Sequence, residues 1–257
     1  MTKLSAAIIT LNEEENIERC LRSLAGWIDD VVVIDSNSRD RTRELAEAMG
    51  TRVVVHDWEG FVGQKNFALA QCRHDWAFSI DADEEVSPEL RREIEALLPG
   101  LDERGARDNV WAYAVPRRVF YNGRWIMHGD WYPDYVTRLV YRPKAHFEGG
   151  AVHERLEHEG RYLKLKSPLF HYTYKDEADH RQRIEKYSAL WARGKYDSGA
   201  RASALSPYLR SAFRFFRAIV LKRGLLDGPT GWRVATLCSR EVYLKYRKLR
   251  ELTVQNR

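Results

Sequence analysis

Over its first hundred residues the chain alternates short β-branched runs with segments of helical apolar spacing. Leu4–Thr10, Val31–Ile34, Arg52–His56 and Trp76–Ile80 read as strands. Between them, Glu13–Ala25 places Ile17, Leu21 and Leu24 on one helical face, Asp40–Met49 runs to a capping Gly50, and Gln64–Ala70 is helical. Ser87 and Pro88 then open a further helix that ends near Pro99–Gly100. Strictly alternating strands and helices constrain the fold class to α/β, a mostly parallel sheet flanked by helices on both faces. Such sheets bind ligands outside the carboxyl ends of their strands. Three loops occupy those positions: "TLNEEEN", "DSNSRDRT" and "DADEE".

The first loop excludes a dinucleotide fingerprint. That motif needs glycines so that pyrophosphate can approach the helix N-terminus, whereas here three carboxylates would repel it. No GxxxxGK[ST] occurs either. Asp35 at the second strand end only accepts hydrogen bonds, which suits ribose hydroxyls or a base N–H, and equally an Asx turn leading to a helix capped by Asp40. At the fourth strand end, an extended backbone would point Asp81 and Asp83 to one side with small Ala82 between them. Two hard oxygen ligands suit Mg²⁺ or Mn²⁺ bound together with phosphate oxygens. The plainer alternative is an acid cluster at a helix N-terminus. A haloacid-dehalogenase-type phosphatase would need its Asp-x-Asp after the first strand and a Thr or Val where Glu85 stands. Glu84 and Glu85 are expected to be solvated.

The order "AAIITLNEEENIERCLRSL", "DDVVVIDSNSRDRT", "GQKNFALAQCRHDWAFSIDADE" and "GGAVHE" resembles the family 2 glycosyltransferases of GT-A (Rossmann-like) fold, and most of all the small bacterial enzymes of lipopolysaccharide core synthesis. The resemblance is strong over 3–100 and extends to about 175. It implies an inverting, metal-dependent transfer of a hexose from a nucleotide-diphosphate sugar, UDP-linked, to a glycolipid. Thr10, Asn12, Glu13, Asp35, Ser38, Lys65 and Asp81 would hold the nucleotide sugar, and Asp83, with Asp81, would hold Mg²⁺ or Mn²⁺. The family's usual Glu-Asp base pair is missing. Glu154 in "GGAVHERL" is the first choice for general base, Asp134 the second and Asp130 a distant third, with His153 as a metal or phosphate contact. Arg138, Arg142 and Arg155 are candidate phosphate clamps. Trp125, Trp131 and Tyr132 are a candidate sugar wall or else core. Alternatives within the fold are a polyprenyl-phosphate or protein glycosyltransferase, or a non-catalytic scaffold that binds nucleotide sugars.

Charge divides the chain. Residues 201–257 carry 13 Lys+Arg against 3 Asp+Glu, and the remaining residues carry 29 against 34. "PYLRSAFRFFRAIVLKR" makes an amphipathic helix with Leu209, Phe213, Phe216 and Val220 on one stripe and Arg210, Arg214 and Arg217 beside it. That pattern fits an anionic membrane surface, or else a helical hairpin packed on the domain or on a dimer partner, with its arginines solvated. No nucleic-acid recognition motif is present. Residues 1–175 are thus expected to form the nucleotide-sugar domain and 176–257 a basic helical extension, with 110–172 as short strands and loops over the same sheet. The short N-terminal apolar run followed by acids, the absence of a membrane-spanning run and three scattered cysteines suit a cytosolic protein, peripheral on the inner membrane face.

Overall fold

A computed structural model describes residues 2–150 and 153–255; the side chain of His153 also lies outside the described set. The chain divides into two compact units, residues 1–117 with 135–171, and residues 118–134 with 172–257.

The first unit begins with β1 (Leu4–Thr10), α1 (Ile17–Leu24), β2 (Asp30–Asp35), α2 (Thr42–Ala48), β3 (Arg52–Val55), α3 (Gly60–Ala70) and β4 (Trp76–Asp81), the expected alternation. β1 pairs in parallel with β2 on one side and β4 on the other, and β2 pairs in parallel with β3. Side chains of β1 alternate between faces, as the two-residue period of a strand requires. Leu4, Ala6 and Ile8 pack with Ile17, Leu21 and Leu24 of α1, while Ala7 packs with Ala68 and Leu69 of α3.

Beyond β4 the chain continues with β5 (Glu84–Val86), α4 (Pro88–Leu97), α5 (Leu101–Asp108) and β6 (Val110–Tyr121). Ser87 caps α4, its Oγ accepting from the Leu90 N–H at 3.1 Å. The helix α5 escapes a reading that stops at Pro99–Gly100, because a 3-10 turn over Leu98–Gly100 carries the chain straight into it. Two-residue β7 (Arg124–Trp125) pairs with the end of β6. Then follow β8 (Asp134–Tyr141), β9 (Ala145–Gly150), β10 (His153–His158), β11 (Arg161–Lys164) and β12 (Leu169–His171). These later strands do not lie over the sheet; several extend it, in the order β3-β2-β1-β4-β8-β6-β12-β5. β4 pairs antiparallel with β8, and β5 antiparallel with β12, so the sheet is parallel in its first half and mixed beyond. β6 looks shorter in sequence because Pro116 and two arginines interrupt its apolar run. β9 and β10 form a separate hairpin.

The second unit contains α6 (Glu177–Asp197), α7 (Ser206–Phe216) and α8 (Gly228–Gln255). Asp176 caps α6 through the Asp179 N–H at 2.8 Å. Residues 118–134, which the sequence places with the N-terminal domain, group here because their aromatics build this unit's core. Trp131 stacks on Tyr174, and Tyr121 meets both rings edge-on and hydrogen-bonds His180 at 3.1 Å. Trp131 is thus a packing residue, as is Trp125, which meets Phe120 and Tyr172 edge-on. The Asp130 side chain, 1% exposed, receives Arg214 Nε at 2.6 Å, Arg217 Nη2 at 2.8 Å and Lys222 Nζ at 3.5 Å. Two of the arginines expected on an outer basic face therefore point inward. Cys20, Cys72 and Cys238 are free, buried thiols. Among the described residues no helix is long and apolar enough to cross a membrane.

Candidate active site

The carboxyl ends of β1, β2 and β4 lie side by side in the first unit, and the loops after β1 and β2 are tied together by hydrogen bonds. Asn12 and Asn37 take left-handed backbones, φ 56° and 64°, which asparagine tolerates better than most residues. Asn12 N–H donates to Ser38 Oγ at 2.8 Å, and Asn12 Oδ1 accepts from the Arg39 N–H at 2.9 Å. Glu13 N–H donates to Thr42 Oγ1 at 2.8 Å. Asp35 is fully buried and uses Oδ1 to accept from the Ser38 N–H at 2.9 Å. Its Oδ2 and the hydroxyl of Thr10, partners in the β1–β2 register, are buried with no hydrogen-bond partner among the described residues. Buried polar atoms are nearly always satisfied. An acceptor and a hydroxyl left open on adjacent strand ends suit a ligand that brings its own N–H or O–H groups.

At the fourth strand end, the two aspartates do not share one extended strand. Asp81 closes β4, and Asp83 lies in the turn before β5. Asp81 is held by two cations: Lys65 Nζ stands 2.9 Å from Oδ1, and Arg138 Nη2, from β8, stands 2.6 Å from Oδ2. Burial alone would raise the Asp81 carboxyl, but Arg138 and Lys65 outweigh it and hold it well below the usual carboxylate range. Arg138 is itself buried, and burial would lower its guanidinium, but Asp81 and Glu84 together keep it firmly charged.

Glu84 corrects the expectation of a solvated acid. It is fully buried, its Oε2 accepts from the Asp81 N–H at 3.0 Å, and its Oε1 takes Arg138. It therefore fixes both the backbone and the counter-ion of Asp81. Arg138 is internal to this network rather than an open clamp. Arg142 pairs with Asp75, and exposed Arg155 with Glu148 and Glu157.

Asp83 faces His171, at the end of β12, with His171 Nε2 3.3 Å from Asp83 Oδ2. Burial would raise the Asp83 carboxyl, but the imidazole more than offsets this and lowers it. His171 Nδ1 is buried without a hydrogen-bond partner among the described residues. Sequence reasoning missed this histidine. The signal that finds it is strand pairing: β12 runs antiparallel to β5 with His171 opposite Glu84, one residue past Asp83. Among the described residues no three His, Cys, Asp or Glu side chains converge as a ready-made metal cluster.

Glu154, from β10, joins the site through Lys65, whose Nζ is 3.1 Å from Glu154 Oε1. The loop carrying it is latched to α3, where Asn66 exchanges two hydrogen bonds with the Phe147 backbone, at 2.8 and 2.7 Å. His153 lies one residue earlier, with its side chain outside the described residues. Asp134 opens β8, four residues before Arg138. Glu154, Lys65, Asp81 and Arg138 thus form one run of alternating charge, and the Asp83–His171 pair lies just past the end of β4.

The sequence model described as "Glycosyl transferase family 2" matches residues 5–150. An uncharacterized glycosyltransferase of Rickettsia bellii is 30% identical over 98% of this chain and 88% of its own length. A lipopolysaccharide core biosynthesis glycosyltransferase of Rhizobium meliloti, LpsC, is 30% identical over 95% and 93%. A solved fragment of S. aureus TarS in complex with UDP-GlcNAc covers 100% of this chain and 93% of that one at 16% identity, with a TM-score of 0.49, a likeness too loose to bear on function. Family match and near full-length relatives agree with the α/β sheet and its strand-end site: the chain belongs to glycosyl transferase family 2.

Proposed function

We propose that the chain transfers a hexose from a UDP-linked sugar to a glycolipid acceptor, with inversion at the anomeric carbon, at the inner face of the cytoplasmic membrane. The observation that carries the reading is the position of Lys65, within 3.1 Å of both Asp81 and Glu154. One cation joins the nucleotide end of the site to its best base. The likeness to LpsC over nearly the whole chain supports a lipopolysaccharide-core acceptor.

Open polar atoms on Thr10 and Asp35 would meet the base or ribose, and Asn12, Glu13 and Ser38 hold their loops in place. Lys65 would turn toward the diphosphate as the donor enters. Glu154 would take the acceptor hydroxyl proton while that oxygen bonds to the anomeric carbon and the carbon–oxygen bond to the diphosphate breaks. Asp134 is the second choice for this role. Asp81 has both oxygens engaged by cations, so Asp83, with His171 beside it, is the better place for Mg²⁺ or Mn²⁺, a carboxylate being the ligand type that suits such an ion. Bound there, it would supply positive charge for the departing diphosphate.

Calorimetry with UDP, with and without Mn²⁺, tests the donor half of the reading. Metal-enhanced binding that Asp83→Ala removes is expected; binding indifferent to both rejects the metal site. Glu154→Gln is expected to keep donor affinity and lose at least a hundredfold in kcat. Near-normal turnover would move the base to Asp134.

A further inference from the structure

Helix α7 and the helical turn that continues it over Arg217–Leu221 present an apolar ridge outward. Leu209, Phe213, Phe216 and Val220, at spacings of four, three and four residues, are 49–65% exposed. Leu225 and Leu226, in the turn that follows, are 59% and 66% exposed. Side chains this large are seldom left in water as a contiguous patch without a partner. The opposite side of the same segment is committed inward: Arg214 and Arg217 reach buried Asp130, and Ala218 and Ile219 pack against Ala235 of α8.

The charge around the ridge has one sign. No Asp or Glu occurs between Asp197 and Asp227. Lys222 and Arg223 at the end of the ridge are exposed, as is Arg233, next to half-exposed Trp232, whose ring meets Phe215 edge-on at 5.0 Å. A second copy of this chain would set the same acid-free basic rim against itself and gain no countercharge. A bilayer bearing anionic headgroups supplies both an apolar layer and the opposite charge.

We propose that this ridge docks on an anionic bilayer surface, with Leu209, Phe213, Phe216 and Leu226 below headgroup level and Arg223 and Arg233 among the phosphates. The docking element is the dry stripe of α7, not the arginine stripe beside it. This deepens the lipid-acceptor reading but is tested without turnover, so either can fail alone.

Flotation with vesicles of phosphatidylglycerol and phosphatidylcholine, against phosphatidylcholine alone, is the test. The wild type is expected to float with the anionic vesicles, and its Trp emission to shift to the blue. The triple change Phe213→Ser, Phe216→Ser, Leu226→Ser is expected to lower binding at least tenfold with the thermal melt retained. Arg223→Glu with Arg233→Glu is expected to erase the preference for anionic vesicles. No flotation and no emission shift in the wild type would overturn the proposal, as would flotation indifferent to the triple change. A dimer that the triple change dissociates, without flotation, would assign the ridge to a second copy instead.

Discussion

Arg138 Nη2 lies 2.6 Å from Asp81 Oδ2, and the same nitrogen also reaches Glu84, so one buried guanidinium bridges two carboxylates at the end of the fourth strand. The arrangement holds the carboxylate of Asp81 ionised and aimed before any ligand arrives. Removing one member of a buried ionic group leaves the others uncompensated, which costs more than the group contributes as a whole.

Glu84→Ala is therefore expected to destabilise the first unit by about 3 kcal/mol, although Glu84 touches no substrate in the proposed reaction. Glu84→Gln, which retains the shape, should cost less. Urea unfolding monitored by circular dichroism measures both; a loss within about 0.5 kcal/mol for the alanine variant would show that Arg138 re-pairs freely.

Lys65→Ala leaves Asp81 with Arg138 alone and takes the cation from Glu154. Donor affinity is expected to fall ten- to a hundredfold, with a stability loss of about 2 kcal/mol. Lys65→Arg should recover stability better than affinity, because the guanidinium fork does not replace a point charge at a phosphate. Calorimetric titration with UDP separates the two effects.

Asp83 and His171 are expected to act as a unit. Asp83→Asn and His171→Asn should each abolish most of the Mn²⁺ enhancement of UDP affinity, and the double variant should lose little more. Additive losses would show that the two side chains serve different ends.

Stability of the second unit should fall in mild acid. Burial pushes the His180 imidazole down to about 4, against 6.5 for the free group. The unfolded chain thus binds a proton that the folded chain refuses. The His180 contribution is full above pH 6.5 and is lost as the pH falls toward 4. Urea midpoints at pH 7 and pH 5 measure the slope, and His180→Phe should flatten it.

The strands β1–β4 and the helices between them are legible in sequence because each buries a face whose period is local. Ser87 and Asp176 announce their helices for the same reason: a cap needs only its own next turn. Glu84 was not legible. Acids are solvated by default, and the arginine that buries this one lies 54 residues away on an antiparallel strand. His171 is hidden likewise, since only the β5–β12 pairing brings it beside Asp83. The arginines of α7 show the converse. Their helical spacing is plain, but which of them meet solvent depends on Asp130, a residue with no periodic relation to them.

That dependence gives Asp130 the part of a rotational index. A helix with cations on one stripe and phenylalanines on the next could settle with either one outward. A single carboxylate 87 residues upstream of Arg217 draws the cations in and so decides which stripe is wet. A change at position 130 would thus be felt at a surface to which that side chain adds almost nothing, by letting α7 turn about its own axis.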